Sequence, residues 1–324
     1  MAERRKGRVE ATVPWWGRSV WARGRVCAAF AVLIAGLLAF HRVVPNSVGR
    51  VGSLLETFLP WLWLLVVALF GLALLRRSAL ALVALLLPAA VWTYLFGGLL
   101  LPGEERADLV VVQHNVSDVN PDPAGTALAL AGGRPDLIAL QELVHPALAV
   151  YEKTLASAYP YHAVHGTVGL WSKHPLTGDR PLDVKPRGIA GPWSRGLRAV
   201  VRTPRGEVAV YVAHLPSVRV RASGLASSWR DESAGLLGAA VAAEKVERVI
   251  LLGDLNGTVD DRGLAPLTSR MNVAERGLAF SFPAAFPVAR IDQVMARSAT
   301  VGRLRTLPAT GSDHLPVVGR VTLR

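Results

Sequence analysis

The sequence is almost devoid of cysteine, with Cys27 the one cysteine among 324 residues. A single thiol cannot form a disulfide within the chain, and it cannot build a zinc site from several cysteines. Internal repeats and low-complexity segments are also missing from the sequence. These absences exclude a disulfide scaffold, a cysteine-based zinc domain and a repeat protein. The length allows one large domain with an appendage.

Acidic residues are scarce in the first third of the chain. Residues 1–103 contain 11 Lys and Arg but 3 Asp and Glu, whereas residues 104–324 contain 25 and 21. Most of the net charge of +12 therefore belongs to the N-terminal part. A basic balance there is typical of membrane topology signals and is weak evidence for a nucleic-acid partner.

The N-terminal part also contains three long apolar stretches, at about 26–44, 57–75 and 80–102. The second and third are free of charge and long enough to cross a bilayer, which needs about 20 residues. We expect about three transmembrane helices, in which Pro60 and Pro88 are tolerated. The first stretch is short and follows a basic leader, so a cleaved signal peptide is the alternative. Glu56 falls at a predicted span boundary and is assigned no function.

The basic residues predict the orientation of these spans. Arg76 and Arg77 separate the second and third stretches, and seven basic residues precede the first: Arg4, Arg5, Lys6, Arg8, Arg18, Arg23 and Arg25. We therefore predict a multi-pass cell-membrane protein with a basic cytoplasmic N-terminus (1–25), a transmembrane region (26–103) and an extracytoplasmic catalytic domain (104–324).

One apolar run in the large domain ends abruptly in polar side chains. Residues 249–252 are typical of a buried strand, and Gly253 and Gly257 mark the turn that follows. In an extended chain Asp254 and Asn256 point to the same side. A carboxylate can orient or deprotonate a water, and an amide can bind a phosphoryl oxygen. An Asx-rich turn explains these residues equally well, so other stretches must decide.

Polar residues recur at the ends of other apolar runs. In chain order these are Gln113-His114-Asn115, Gln141-Glu142, Trp171-Ser172-Lys173, Ala213-His214, Ile291-Asp292-Gln293 and Ser312-Asp313-His314. Together with the Asp254 motif, the ordered set resembles the endonuclease/exonuclease/phosphatase family over residues 108–324. The resemblance implies an α/β fold, a four-layer sandwich of two mixed, mostly antiparallel sheets flanked by helices.

The resemblance also implies a divalent metal, Mg²⁺ or Mn²⁺. Glu142 matches the principal metal-binding glutamate of the family, and hard oxygen ligands suit these ions. Asn115 matches the first-strand asparagine near the metal and the scissile phosphate. Asp313 matches a residue that helps to bind the metal or the nucleophile.

The remaining matches imply catalytic residues. Asp254 would position the attacking water, while Asn256 and His314 would bind the phosphate and stabilise negative charge. Asp292 would orient the His314 imidazole, and His214 would stabilise or protonate the leaving oxygen. Gln293 departs from the His or Tyr often found at its position in the family.

We therefore expect a membrane-anchored, metal-dependent phosphoesterase, most simply a phosphodiesterase acting on nucleic acid or a related diester. A phospholipid-directed, sphingomyelinase-like phosphodiesterase or phosphatase is the alternative, and a non-catalytic membrane binding module is a further one. The expected partners are the phosphodiester substrate and, through the N-terminal helices, the lipid bilayer. No obligate protein partner is evident.

Overall fold

The computed structural model describes residue 21 and residues 23–102 and 107–324. The predicted cytoplasmic N-terminus therefore lies almost entirely outside the described residues, as does most of the Pro102–Glu105 linker. The chain forms two compact units. Of the described residues, those up to 41 and those at 60–96 form one unit, and those at 42–59 and from 97 to 324 form the other.

The described helices are α1 (Arg25–Ala39), α2 (Val51–Thr57), α3 (Leu62–Leu75), α4 (Ala79–Leu100), α5 (Pro123–Gly132), α6 (Ala147–Leu155), α7 (Ser228–Ala242) and α8 (Ala265–Thr268). Short 3₁₀ segments lie at His41–Val43, Leu59–Trp61 and Arg262–Leu264. Helices α1 and α3 and most of α4 belong to the first unit. Within that unit the Trp63 and Trp92 rings are 5.5 Å apart, and Trp92 Nε1 donates to the Pro60 carbonyl at 2.8 Å.

The expectation of three membrane-spanning helices does not hold for the described residues. Helix α4, with 22 residues, is the one helix there that is long and apolar enough to cross a membrane. A second candidate exists only if Val51–Thr57 and Leu59–Leu75, bent by 66°, count as one span. Helix α1 has 15 residues and α3 has 14, or about 22 Å at 1.5 Å per residue, which is shorter than the hydrocarbon core.

The two prolines of the expected spans occupy different positions. Pro60 lies in the 3₁₀ segment Leu59–Trp61, so the α-helix of the expected second span begins only at Leu62. Pro88 lies inside α4, as expected. The length and composition of α4 also fit a core helix of a soluble protein, so they are weak evidence for a membrane.

The second unit contains two large sheets and a small hairpin. The first sheet has the order β13-β15-β1-β2-β4-β3, with β14 paired to β15. Its strands are β1 (Leu109–Asn115), β2 (Leu137–Gln141), β3 (Tyr161–His165), β4 (Val168–Ser172), β13 (Ala299–Val301), β14 (Arg305–Thr306) and β15 (Val317–Leu323). The pair β1 and β2 is parallel, and the other pairs are antiparallel.

The second sheet has the order β11-β12-β10-β7-β6-β5. Its strands are β5 (Leu176–Pro181), β6 (Gly196–Thr203), β7 (Gly206–His214), β10 (Val249–Asp254), β11 (Asn272–Val273) and β12 (Asp292–Arg297). The pair β7 and β10 is parallel, and the other pairs are antiparallel. Strands β8 (Arg219–Arg221) and β9 (Gly224–Ala226) form the separate hairpin.

Alternation along the strands creates four layers. In β10, Ile250 and Leu252 pack in the core between the two sheets, while Val249 and Leu251 pack beneath α7. The first sheet is covered on its other face by α5 and α6, which contribute Leu130 and other residues to a third core cluster. The two mixed sheets with flanking helices therefore confirm the expected α/β architecture of the large domain.

The segment 42–59 groups with this unit although sequence reasoning placed it in the transmembrane region. Glu56, in α2, is fully buried and pairs with Arg262 at 2.7 Å. The Leu225 N–H, in β9, donates to the Gly49 carbonyl at 2.9 Å. Glu56 is thus a buried ion-pair partner and not a residue at the end of a span.

Candidate active site

Strand ends of both sheets bring polar side chains together. Asp254 ends β10, and its direct neighbours across the sheet are His214 of β7 and Asp292 of β12. In the first sheet Asn115 ends β1, and Glu142 directly follows β2. Each apolar run therefore delivers its final polar residue to the same edge of the sandwich.

Asp254 lies at the centre of this group and is almost completely buried. Its Oδ2 accepts a hydrogen bond from Asn115 Nδ2 at 3.1 Å and is 3.7 Å from Nε2 of both His214 and His314. Its Oδ1 accepts from the Asn256 backbone N–H at 2.9 Å. Burial, outweighing the nearby His314 charge, raises the pKa of Asp254 to about 7. A carboxylate with this pKa can accept a proton near neutral pH.

Glu142 connects the first sheet to Asp254. Its Oε1 accepts from Asn115 Nδ2 at 3.0 Å and is 3.8 Å from His214 Nε2, while the Asp118 N–H donates to Oε2 at 3.2 Å. Glu142 has a φ of 61°, in the left-handed region that residues other than glycine seldom adopt. Asn256 has a φ of 48°. Backbone strain at two neighbouring site residues is typical of a functional site.

His314 is held by a carboxylate on its far side. Asp292 Oδ2 is 2.8 Å from His314 Nδ1, and Asp292 Oδ1 accepts from Gln113 Nε2 at 2.5 Å. Burial lowers the pKa of His314, but the Asp292 and Asp254 charges outweigh burial and raise it to about 10. His314 is therefore an imidazolium at neutral pH, and its Nε2 faces Asp254.

His214 has the opposite character. Burial and the neighbouring Arg195 charge lower its pKa to about 3, so it is neutral at physiological pH. Arg195 Nη1 lies 3.5 Å from His214 Nδ1, and a guanidinium can only donate. This arrangement places the His214 proton on Nε2, which faces Glu142 and Asp254. His214 can donate a hydrogen bond but does not store an extra proton.

The other two predicted site residues lie nearby. Asn256 Nδ2 donates to the Leu215 carbonyl at 3.0 Å, which fixes the amide at the tip of β10. Asp313 is exposed and lines the same cavity as Asn256. Gln293 Nε2 donates to the Gly257 carbonyl at 3.0 Å, so this departure from the family pattern supports the turn after Asn256.

The donors in this group fit a hard divalent cation. Glu142 and Asp254 supply carboxylate oxygens, and both accept from the amide of Asn115. Among the described residues, Asp254, Asp292 and His314 also have potential ligand atoms within 4.8 Å of one another. His314 Nδ1 is already bonded to Asp292, so Glu142 and Asp254 offer the freer oxygens. Asp313 does not belong to that three-residue group.

The site opens into a cavity of about 400 Å³. Six of the predicted site residues line the cavity: Asn115, Glu142, Asp254, Asn256, Asp313 and His314. The apolar part of its lining includes Phe58, Val218, Val220, Leu225, Phe282 and Val288. Phe58 comes from the N-terminal segment 42–59, which sequence reasoning did not connect with the site.

Arg195 is the main residue of the site whose role the motifs do not indicate. Arg195 directly precedes β6, which pairs with β7, and β7 ends in His214. A basic residue at the start of β6 is the only indication of this role in the sequence. Two other arginines that could have entered the cleft are occupied elsewhere. Arg198 pairs with Glu244, and Arg230 donates to the Asn256 carbonyl at 3.0 Å while pairing with Asp231.

Comparison with known proteins places this geometry in context. The model of the Endonuclease/Exonuclease/phosphatase family matches residues 108–314. No curated protein matches the chain by sequence.

Solved structures share the fold. An endonuclease/exonuclease/phosphatase from Beutenbergia cavernae is 21% identical with a TM-score of 0.53, and the match covers 67% of this chain and 72% of that one. A mannosyl-6-phosphatase from Bacteroides thetaiotaomicron is 17% identical with a TM-score of 0.53, covering 66% and 99%. A beta toxin mutant from Staphylococcus aureus, solved with bound magnesium ions, is 14% identical with a TM-score of 0.51, covering 66% and 99%.

Proposed function

Because this chain belongs to the Endonuclease/Exonuclease/phosphatase family, whose members are typically metal-dependent phosphoesterases, we propose that it hydrolyses a phosphodiester with the aid of Mg²⁺ or Mn²⁺. The observation that carries the proposal is the convergence on Asp254 Oδ2. An asparagine, a neutral histidine and a cationic histidine all lie within 4 Å of that one oxygen. A purely structural carboxylate does not need three such neighbours and a pKa near neutrality.

Each residue then has a distinct task. Asp254 orients the attacking water and takes its proton. The His314 imidazolium, held by Asp292, and the Asn256 amide stabilise negative charge on the phosphoryl oxygens. His214 donates from Nε2 to an oxygen at the reaction centre. Its low pKa favours hydrogen bonding over protonation of the leaving group.

Glu142 and Asn115 would hold the metal beside Asp254, and Asp313 remains a proposed contributor from the rim. The ion supplies Lewis-acid stabilisation of charge on the phosphate. Hard oxygen donors favour Mg²⁺ or Mn²⁺ over softer ions.

The balance of charge supports a diester over a monoester. A monoester dianion needs more compensating positive charge than a diester monoanion. Among the described residues, Arg195 and the exposed Arg219 are the arginines free to act at the site, because Arg198 pairs with Glu244 and Arg230, which donates to the Asn256 carbonyl, is neutralised by Asp231.

A phospholipid-directed activity is the second candidate, and the apolar lining that includes Phe58 favours it. We also propose that the N-terminal helices anchor the chain in the cell membrane with the catalytic domain outside the cytoplasm. The support is the apolar helix α4 together with the basic residues Arg76 and Arg77 before it.

The test is metal-dependent hydrolysis of bis-p-nitrophenyl phosphate by the full-length protein in detergent. We expect activity with Mg²⁺ or Mn²⁺ that EDTA abolishes. Asp254→Asn and Glu142→Gln should each reduce the rate about a thousandfold or more, because they remove a water-orienting carboxylate or a metal ligand. Both changes are nearly isosteric, so unfolding temperatures measured in EDTA check that the variants are folded. Undiminished hydrolysis by either folded variant refutes its assigned role.

A further inference from the structure

A second cavity adjoins the catalytic one. It has a volume of about 410 Å³, and Ser217 and Arg219 line both cavities. Its other lining residues include two tryptophans and two further arginines: Trp193, Trp229, Arg195 and Arg221. A substrate bound at Asp254 can therefore extend from the catalytic cavity into the second cavity.

Arg195 is the innermost cation of this second cavity. Its guanidinium carbon lies 4.2 Å from the centre of the Trp193 ring, which fixes the plane of the side chain. Among the described residues no carboxylate forms an ion pair with it, and Glu142 and Asp254 act on it only at longer range. Burial lowers the pKa of Arg195. A half-buried guanidinium without an ion-pair partner is a favourable site for an anion.

Arg219 and Arg221 bring two more positive charges. They are two residues apart in β8, so their side chains leave the strand on the same face. Both are exposed, and neither forms an ion pair with a carboxylate in the described ranges. By contrast, the exposed Arg187 pairs with Glu232 at 3.7 Å. Arg195, Arg219 and Arg221, which line the second cavity, thus have no carboxylate partner among the described residues.

Trp229 completes the cavity with an indole that is 51% exposed at the start of α7. An exposed indole beside arginines is typical of surfaces that stack a planar ring next to a phosphate. A zwitterionic choline head group carries a positive charge, and three guanidinium groups in this cavity would repel that charge. The cavity therefore disfavours a choline head group. A nucleotide chain supplies both a planar base and a second phosphate.

We propose that Arg195, Arg219, Arg221 and Trp229 form a second phosphate subsite. This subsite binds a phosphate group that stays intact during the reaction, and the substrate carries a nucleobase next to that phosphate. The inference rests on the proposed phosphodiesterase function and predicts that the preferred substrates carry at least two phosphates. Nucleic-acid strands belong to this class, and single-phosphate diesters do not.

The first experiment measures binding without catalysis. Thymidine 3′,5′-bisphosphate and thymidine 5′-monophosphate are titrated into the full-length protein in EDTA, and binding is followed by the change in tryptophan fluorescence, to which Trp193 and Trp229 contribute. A charge-assisted contact between arginine and phosphate predicts at least about tenfold tighter binding of the bisphosphate. Equal affinity of the wild-type protein for the two nucleotides overturns the proposal.

Matched variants locate the effect. In Arg219→Gln and Arg221→Gln the affinity ratio should fall toward one. Arg202→Gln is the control, because exposed Arg202 lies on β6 at the end of the hairpin opposite His214. This variant should retain the wild-type ratio. A ratio that survives both cavity substitutions, or that Arg202→Gln reduces equally, contradicts the assignment.

The second experiment separates failure of the subsite from failure of the proposed function. The substrates are thymidine 5′-(p-nitrophenyl phosphate) and its 3′-phosphorylated form, with Mg²⁺. We expect the added 3′-phosphate to lower KM about tenfold in the wild-type protein and much less in Arg219→Gln. Hydrolysis of both compounds with the same KM refutes the subsite alone. Absence of hydrolysis refutes the phosphodiesterase function, while the binding ratio still decides the subsite.

Discussion

The buried pair of Glu56 and Arg262 predicts that removal of one charge in the N-terminal segment destabilises the large unit. Glu56 is fully buried, and its carboxylate accepts from Arg262 Nη2 at 2.7 Å, from Nε at 2.9 Å and from the Arg262 backbone N–H at 2.9 Å. Glu56→Gln keeps the shape of the side chain but directs an NH₂ group toward these donors. The guanidinium also loses its counter-charge.

The size of the effect follows from burial on each side of the pair. Breaking a buried ion pair costs about 3–5 kcal/mol, but the Arg262 side chain is 28% exposed and keeps some hydration. We therefore expect a loss of about 2–3 kcal/mol. For a unit of this size that corresponds to a fall in unfolding temperature of roughly 5–10 °C.

The assay is thermal unfolding of the full-length protein in detergent, followed by near-ultraviolet circular dichroism. Glu207→Gln is the control, because Glu207 forms an exposed pair with Arg202 that contributes little stability. The double substitution of Glu56 by Leu and Arg262 by Met should recover much of the loss, because it leaves no unpaired charge. If Glu56→Gln unfolds within 1 °C of Glu207→Gln, the pair does not stabilise the unit and the reasoning fails.

Three further predictions concern substrate, pH and topology. The full-length protein should show a higher kcat/KM for bis-p-nitrophenyl phosphate than for p-nitrophenyl phosphate, each normalised to its uncatalysed rate; a monoester preference contradicts the charge argument. Burial raises the pKa of Glu244, but hydrogen bonds from Arg198, Val246 and Tyr211 lower it to about 2. Because that pKa is below its ordinary value of 4.5, the Glu244 side chain, 5% exposed, should contribute about 3 kcal/mol above pH 4.5. This contribution should be lost as the pH falls from 4.5 toward 2, and an acid-unfolding midpoint that Glu244→Gln leaves unchanged contradicts it. A C-terminal alkaline phosphatase fusion should be active and a green fluorescent protein fusion dark; the reverse result refutes an extracytoplasmic domain.

Local sequence was sufficient for the main strands of the catalytic unit. The buried strand predicted at 249–252 is observed as β10, extended by two residues. The apolar runs that end at Gln113-His114-Asn115, Gln141-Glu142 and Ala213-His214 are observed as β1, β2 and β7. These strands have apolar residues on both faces because they are buried between a second sheet and a helix layer, and this requirement is visible in each run.

Weakly apolar elements could not be predicted in the same way. Strand β5 is mostly exposed and polar, and β8 contains Arg219 and Arg221, so neither has a periodic apolar signal. Their strand conformation depends on pairing with neighbouring strands. The apolar runs near the N-terminus had the opposite problem. Hydropathy alone did not show that the chain bends by 66° between Val51–Thr57 and Leu59–Leu75, at the start of the predicted second span.

The sequence by itself determined which residue types end the core strands, and so it indicated the chemistry of the site. Asp254, His314 and Glu142 could be selected because the polar residues that end successive apolar runs form an ordered set that resembles a known family. Tertiary structure alone decided that His214, Asp254 and Asp292 share one register across three strands. It also decided which cations face the cleft. Arg198 forms an ion pair with Glu244, whereas Arg195 lies against His214. A charge acts over a few ångströms in space, and separation along the chain does not specify that distance.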